Sequence, residues 1–203
     1  MFISQQLRQK SIAEYLLYMW QVEDIIRAYG CSLTELRKSY ISQFQIDDDK
    51  REELTDWYGN LVNMMNREGC REKGHLQINK VVLMQLIELH NRLLDSSKFP
   101  FYRSEYYRVL PFIVELRRKR GMSNEENEVE TCFNALYGRI MLGLKKQEIS
   151  KETEGAIKEI STLVGMLADY YHKDKIEPIF DEDMYVMPLF FDILQIMGKY
   201  SVL

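Results

Sequence analysis

Few residues in this chain are equipped for chemistry. Glu72-Lys73-Gly74-His75 sets a carboxylate three residues before one of only three histidines, and Asp169-Tyr170-Tyr171-His172 repeats the spacing with an aspartate. Residues three apart share a helical face, so a Glu-x-x-His pair can serve one metal pair, as in di-iron carboxylate bundles. Such a centre needs the motif on two helices and a glutamate from each of two more. Here Gly69 and Gly74 bracket the first copy, and glycine inside a helix costs about 1 kcal/mol relative to alanine. Glu72 and His75 are therefore expected in a loop, and His172 at a helix end where the macrodipole favours imidazolium. No metal and no cofactor is expected.

The remaining chemical signals are weaker. His90 lies inside an apolar run with no nucleophile or second ligand near it in sequence, which suits a hydrogen-bonded core or interface histidine. Cys70 stands five residues before His75, but nothing in the sequence lowers its pKa. Gly138 to Lys145 imitates the glycine spacing of a phosphate loop. No lysine follows Gly143 directly, no Ser or Thr follows to hold magnesium, and the stretch continues a helical stripe; its glycines are expected to allow close helix approach. Arg117-Arg118-Lys119-Arg120 closes a helix, where the dipole favours cations, and Glu125, Glu126, Glu128 and Glu130 follow to neutralise it. No nucleophile elbow, dinucleotide fingerprint or His-Glu-x-x-His is present, and no catalytic residue is assigned.

The elements that must position these groups are helical. Glycine (10) and proline (4) are scarce in 203 residues that are 46% hydrophobic, a composition that favours long helices around one core. Ile12, Tyr15, Leu16, Met19, Val22, Ile25, Ile26 and Tyr29 predict one helix over about 4–29, with Asp24 and Arg27 on its polar face, stopped by Gly30. Ser32-Leu33-Thr34-Glu35 is a capping box opening a short helix to about Phe44. Asp47-Asp48-Asp49 starts a third, ending near Gly69. Residues 78–94 are apolar over most of the circumference and are expected at the centre.

Phe99-Pro100-Phe101-Tyr102 is expected to be an extended connector, with Ser104 capping a helix to about Arg120 that kinks at Pro111. Ser123 to Glu126 is a second capping box, before a helix through Leu144, and Ser150 caps another to about His172. Residues 174–187 form a charged linker, and Pro188 opens a short apolar helix through Leu189, Phe190 and Ile193. The expected architecture is all-α: a single-domain bundle of seven or eight mostly antiparallel helices over residues 1–173, then linker and terminal helix.

The net charge of -4 and a pI near 5.5 argue against nucleic-acid or anionic-membrane partners. No apolar stretch reaches the roughly 18 residues that span a bilayer. The N-terminal residues carry no secretory pattern, and three cysteines form neither a disulfide framework nor a zinc motif. A cytoplasmic protein is expected.

The segments IAEYLLYMWQVEDIIRA, EKGHLQINK, KFPFY with LPFIVELR, CFNALYG and KKQEISKET resemble an uncharacterised family of bacterial all-helical proteins, a domain of unknown function of gut and environmental anaerobes. The resemblance runs over residues 1 to about 172. It implies one cytoplasmic helical domain and attaches no activity to any residue.

Function is expected to lie in protein interaction or scaffolding. Between Phe99 and Phe112 the chain gathers Tyr102, Arg103, Tyr106, Tyr107 and Arg108, side chains that interfaces favour for large contact area with a polar end. That segment, the terminal helix with Leu189, Phe190 and Ile193, or both would hold a protein partner or a second copy of the chain. The alternative is a small-ligand sensor or enzyme with a pocket near His75, His90 and the aromatic segment. A carboxylate-histidine metal bundle is the remote alternative.

Overall fold

A computed structural model describes residues 2–120 and 126–180. Among them the chain is all-α, with eight α-helices, one 3-10 turn and no strand. The helices are α1 (Phe2–Lys10), α2 (Ile12–Ala28), α3 (Leu33–Ser39), α4 (Asp48–Arg67), α5 (Gln77–Asp95), α6 (Pro100–Arg120), α7 (Glu128–Leu144) and α8 (Lys151–Ile176), with the 3-10 turn at Ile41–Gln43. No described helix is long and apolar enough to cross a membrane. Among the described residues, those up to Tyr171 belong to one compact unit and those from His172 to another.

Helices α2 and α5 share the centre. α2 packs on α1, α4, α5 and α7, and α5 packs on α2, α6 and α7. α2 buries Leu16, Met19, Trp20, Val22 and Ile26 on the face its periodicity predicts. α5 buries Val82, Leu86, Leu89 and Leu93, yet Ile78, Val81 and Met84 stay exposed on its outer side. α8 buries Ile160, Leu163, Val164, Leu167 and Ala168, while residues 151–159, its first turns, hold no fully buried side chain.

Several boundaries differ from the expected ones, each for a local reason. The single helix over 4–29 is two helices. Ser11 adopts an extended backbone, and its hydroxyl accepts from the Glu14 amide 3.3 Å away, capping α2. The helix expected to run to about Phe44 ends as α3 at Ser39 and is followed by the 3-10 turn; Arg51 of α4 donates to Ile41 O in that turn and to Phe44 O and Ile46 O just after it.

Phe99 to Tyr102 is not an extended connector. Pro100 is the first helical residue of α6, the position where its missing N–H costs nothing, so Phe101, Tyr102 and Ser104 are helical. Pro111 lies within α6 without ending it. It sits on the exposed side, where water can satisfy the carbonyl its ring leaves without a donor. α7 is capped by Asn127, whose side chain accepts from Val129 N at 2.8 Å; Ser123, Asn124 and Glu125 lie outside the described residues. Ser150 does cap α8, accepting from Thr153 N. α8 runs past His172 to Ile176, so the first residues of the expected linker are helical. The rest of that linker from residue 181, and the expected terminal helix with Leu189, Phe190 and Ile193, lie outside the described residues.

Gly143 does not admit a neighbouring helix as expected. A Cβ there would meet Arg139 Nη1 at 3.2 Å, so the space above the glycine belongs to an arginine of the same helix.

Arg103 closes α5. Its guanidinium donates twice to Leu94 O, at 3.1 and 2.7 Å, and once to Ser96 O at 3.0 Å, where the last helical carbonyls lack intrahelical donors. Replacing Arg103 by methionine keeps the aliphatic stem and strands these acceptors. The expected loss is about 1–3 kcal/mol, read as a lower urea midpoint with an unchanged slope.

Candidate functional site

The first candidate is built on α2. Glu23 lies on the same side as Trp20 and Arg27, three and four residues away, and is fully buried. Its Oε1 accepts from Leu76 N at 2.9 Å and Asn79 Nδ2 at 2.7 Å, and its Oε2 lies 2.6 Å from His75 Nδ1. A carboxylate only accepts, so His75 Nδ1 carries the proton in that bond. The Trp20 ring stacks on the imidazole, with centroids 4.2 Å apart and planes 15° from parallel. Arg27 stands 3.8 Å from Glu23 Oε2, pairs with Asp24 at 2.7 Å, and donates to Cys70 O and Gly74 O. Tyr137 of α7 donates to Asp24 and Trp20 O.

The sequence folds this way because α5 starts badly on its own. Its N-cap, Leu76, has no side chain that can accept from a free amide. The caps come from elsewhere, Glu23 receiving Leu76 N–H and Glu68 Oε2 receiving Gln77 N–H at 2.6 Å. Both carboxylates lie at the positive end of the α5 dipole.

His75 is in the loop between α4 and α5, as expected, but its acid is Glu23, 52 residues earlier, and not the exposed Glu72. A buried carboxylate holding Nδ1 of a partly exposed imidazole is the orienting half of a general-base arrangement. The other half is not placed there. The Cys70 thiol donates to His75 O and Glu68 O in its own loop. Glu130 of α7 is the nearby acid, held above the ordinary carboxyl range by burial and by Glu126, against the opposing pull of His75. No group of three or more His, Cys, Asp or Glu among the described residues could hold a metal ion. With three donors on Glu23, the arrangement clamps loop 69–76 and the start of α5 onto α2.

Breaking that clamp is expected to be expensive. Glu23→Ala leaves the Leu76 amide, the Asn79 amide group and the His75 imidazole without their acceptor, at about 3–5 kcal/mol. Glu23→Gln costs less, because one carbonyl oxygen remains for Leu76 and Asn79. Urea unfolding measures both, and hydrogen exchange at the Leu76 amide should accelerate in the alanine variant first.

The second candidate centres on His90, 3% exposed in α5. Its Nδ1 lies 2.6 Å from the hydroxyl of Tyr102, itself fully buried, and the Tyr106 ring meets the imidazole edge-on. Tyr106 donates to Glu128 at 2.7 Å. The adjoining cavity, lined by His90, Tyr102, Ile113, Cys132 and Leu163, measures about 10 Å³, the lower limit for one water molecule. Burial pushes the Cys132 thiol up to about 12, with Glu128 adding to it. His75 precedes α5 and His90 lies deep within it, so at 1.5 Å per residue they stand about 20 Å apart along the axis and share no site.

Burial lowers the His90 pKa below its ordinary 6.5, against the opposing charge of Glu128. Between the lowered value and 6.5 the unfolded chain binds the additional proton, so His90 lets stability rise with pH there. Stability should be complete above about pH 6.5 and fall as pH drops through that window. His90→Gln should remove this part of the slope in urea unfolding compared at about pH 7.5 and about pH 5.5.

The aromatic segment divides by direction. Tyr102, Arg103 and Tyr106 are engaged internally; Tyr107 is 61% exposed, and Arg108 faces outward between Glu105 and Glu159. In the basic run, Arg117 donates to Thr131 and Glu126 O, and Lys119 pairs with Glu115.

A third feature was not anticipated. Leu17 of α2, Leu136, Arg139 and Ile140 of α7, and Ile157 and Lys158 of α8 line an open groove of about 730 Å³. Arg139 also borders a recess of about 430 Å³ with Gly143, Lys146 and Glu148. The groove is open because the first turns of α8 are not seated in the core. Leu136 and Ile140 belong to the apolar stripe of α7, yet both are only half-buried. Leu17 and Ile157, apolar residues off the main stripes, were the available signal.

No curated protein and no solved structure matches the chain. A family model described as a domain of unknown function, DUF4924, matches residues 1–178. With nearly nine-tenths of its length inside that match and its described residues all-helical, the chain belongs to the DUF4924 family.

Proposed function

We propose that this protein is a cytoplasmic helical interaction module that receives an amphipathic helix of a partner protein in the groove between α2, α7 and α8. The observation that carries the reading is the groove itself: four apolar side chains from three helices, Leu17, Leu136, Ile140 and Ile157, facing one open concavity of about 730 Å³. Three helices splayed around an apolar floor suit the helix-in-groove mode, in which anchors at i, i+3 or i+4, and i+7 enter one trough. A small molecule in so open a trough would keep much of its surface in water, unlike ligands in enclosed sites. The narrower cavities, at about 40 and 10 Å³, are too small for one. Three free cysteines, all buried, support the cytoplasmic setting.

The test is fluorescence anisotropy of the full chain with a labelled peptide of about 15 residues, long enough to form a helix, carrying a leucine stripe. A sequence-scrambled peptide without the stripe is the control. Binding of the striped peptide alone, weakened about tenfold or more by Ile140→Asp, is expected. Ile140 is half-exposed, and Ile157→Asp on another helix serves if the first variant unfolds. Equal binding to wild type and folded variant, or no binding, overturns the reading.

A further inference from the structure

The charges around the groove are not arranged like those of the whole molecule. The chain carries a net charge of -4. The groove and its adjoining recess present three cations, Arg139, Lys146 and Lys158, against two carboxylates, Glu148 and Glu154. Lys158 stands on α8 one residue beyond Ile157 of the apolar floor, and no carboxylate lies within ion-pair distance of it among the described residues. Arg139 stands on α7 next to Ile140, with its guanidinium over Gly143. Its carboxylate partner is Glu154, 3.7 Å away, with 38% and 63% of the two side chains exposed.

An exposed pair at that distance is weak and exchanges readily. A second carboxylate arriving at the edge of the groove can take Arg139 without a large loss. It would gain strength there, because an occupant excludes water from the edge and the local dielectric falls. Arginine also presents a planar fork that a carboxylate can meet with two hydrogen bonds, whereas Lys158 offers a point charge. The two cations come from different helices of the groove wall, one on each of α7 and α8.

We infer that the groove selects a helix that is acidic at its edges: an amphipathic partner segment whose apolar stripe covers Leu17, Leu136, Ile140 and Ile157 and whose flanking carboxylates engage Arg139 and Lys158. The inference rests on the groove reading above and adds the chemistry of the partner. Rim charges of this kind act mainly on specificity and association rate, while the apolar floor supplies affinity. Selection by charge further predicts that added salt narrows the preference, since exposed charges are screened.

The experiment uses the full chain and two labelled peptides with the same leucine stripe, one flanked by glutamates and the other by lysines. The glutamate-flanked peptide is expected to bind about tenfold tighter at low salt, with the gap shrinking in high salt. Lys158→Glu, a change at an exposed position, and Arg139→Glu should each reduce the preference, and the double variant should reverse it. If both peptides bind equally and Ile140→Asp weakens both, the charge inference is overturned while the groove reading stands. Tighter binding of the lysine-flanked peptide also overturns it. If neither peptide binds, both readings fall.

Discussion

The carboxylate of Glu23 is the constraint on which the described helices depend most. It lies fully out of water and receives a backbone amide, a side-chain amide and an imidazole. An unpaired buried charge would cost several kcal/mol, so the donors must all arrive together when the chain folds. Each comes from the loop before α5 or from its first turn, so the bonds fix where α5 begins and how it meets α2. Trp20 extends the junction: it stacks on His75 and meets Phe133 and Tyr137 of α7 edge-on. Glu23 thereby ties α5 to α2, while Trp20 and Asp24 tie α7 to it.

A second polar contact, His90 with Tyr102, does the corresponding work farther along α5, where that helix meets α6. The two contacts differ chemically. Glu23 is a carboxylate saturated by three donors, while His90 is an imidazole whose pKa burial lowers. Both use chemical side chains to specify packing, and the cavity beside His90 measures only about 10 Å³. The open surface instead lies where the first turns of α8 are not seated in the core, and the groove there is lined by aliphatic side chains together with Arg139, Glu154 and Lys158.

The all-helical class and most element positions were legible in advance. α4 and α5 fall within a residue or two of their periodic patterns, and Ser32 and Ser150 cap α3 and α8. The misreadings involve residues with two local meanings. Ser11 can sit inside an amphipathic run or cap its second half, and the chain chose the cap. Pro100 can end a connector or open a helix, and with Phe99 and Tyr102 both drawn into the core it opens α6. Local sequence holds both options because their intrinsic energies differ by little.

The site was much less legible than the fold. Sequence by itself determined that the chain is helical, where its apolar faces run, that His75 lies in a loop, and that no familiar catalytic motif is present. These follow from short-range periodicity and backbone preference, which act over a few residues. Only the tertiary structure decided that the acid facing His75 is Glu23 rather than Glu72, that Tyr102 turns inward while Tyr107 stays outside, and that Leu136 and Ile140 line a groove rather than a sealed core. Those outcomes depend on which helices come together across tens of residues. A hydrogen bond spanning 52 positions leaves no periodic trace in either segment that makes it.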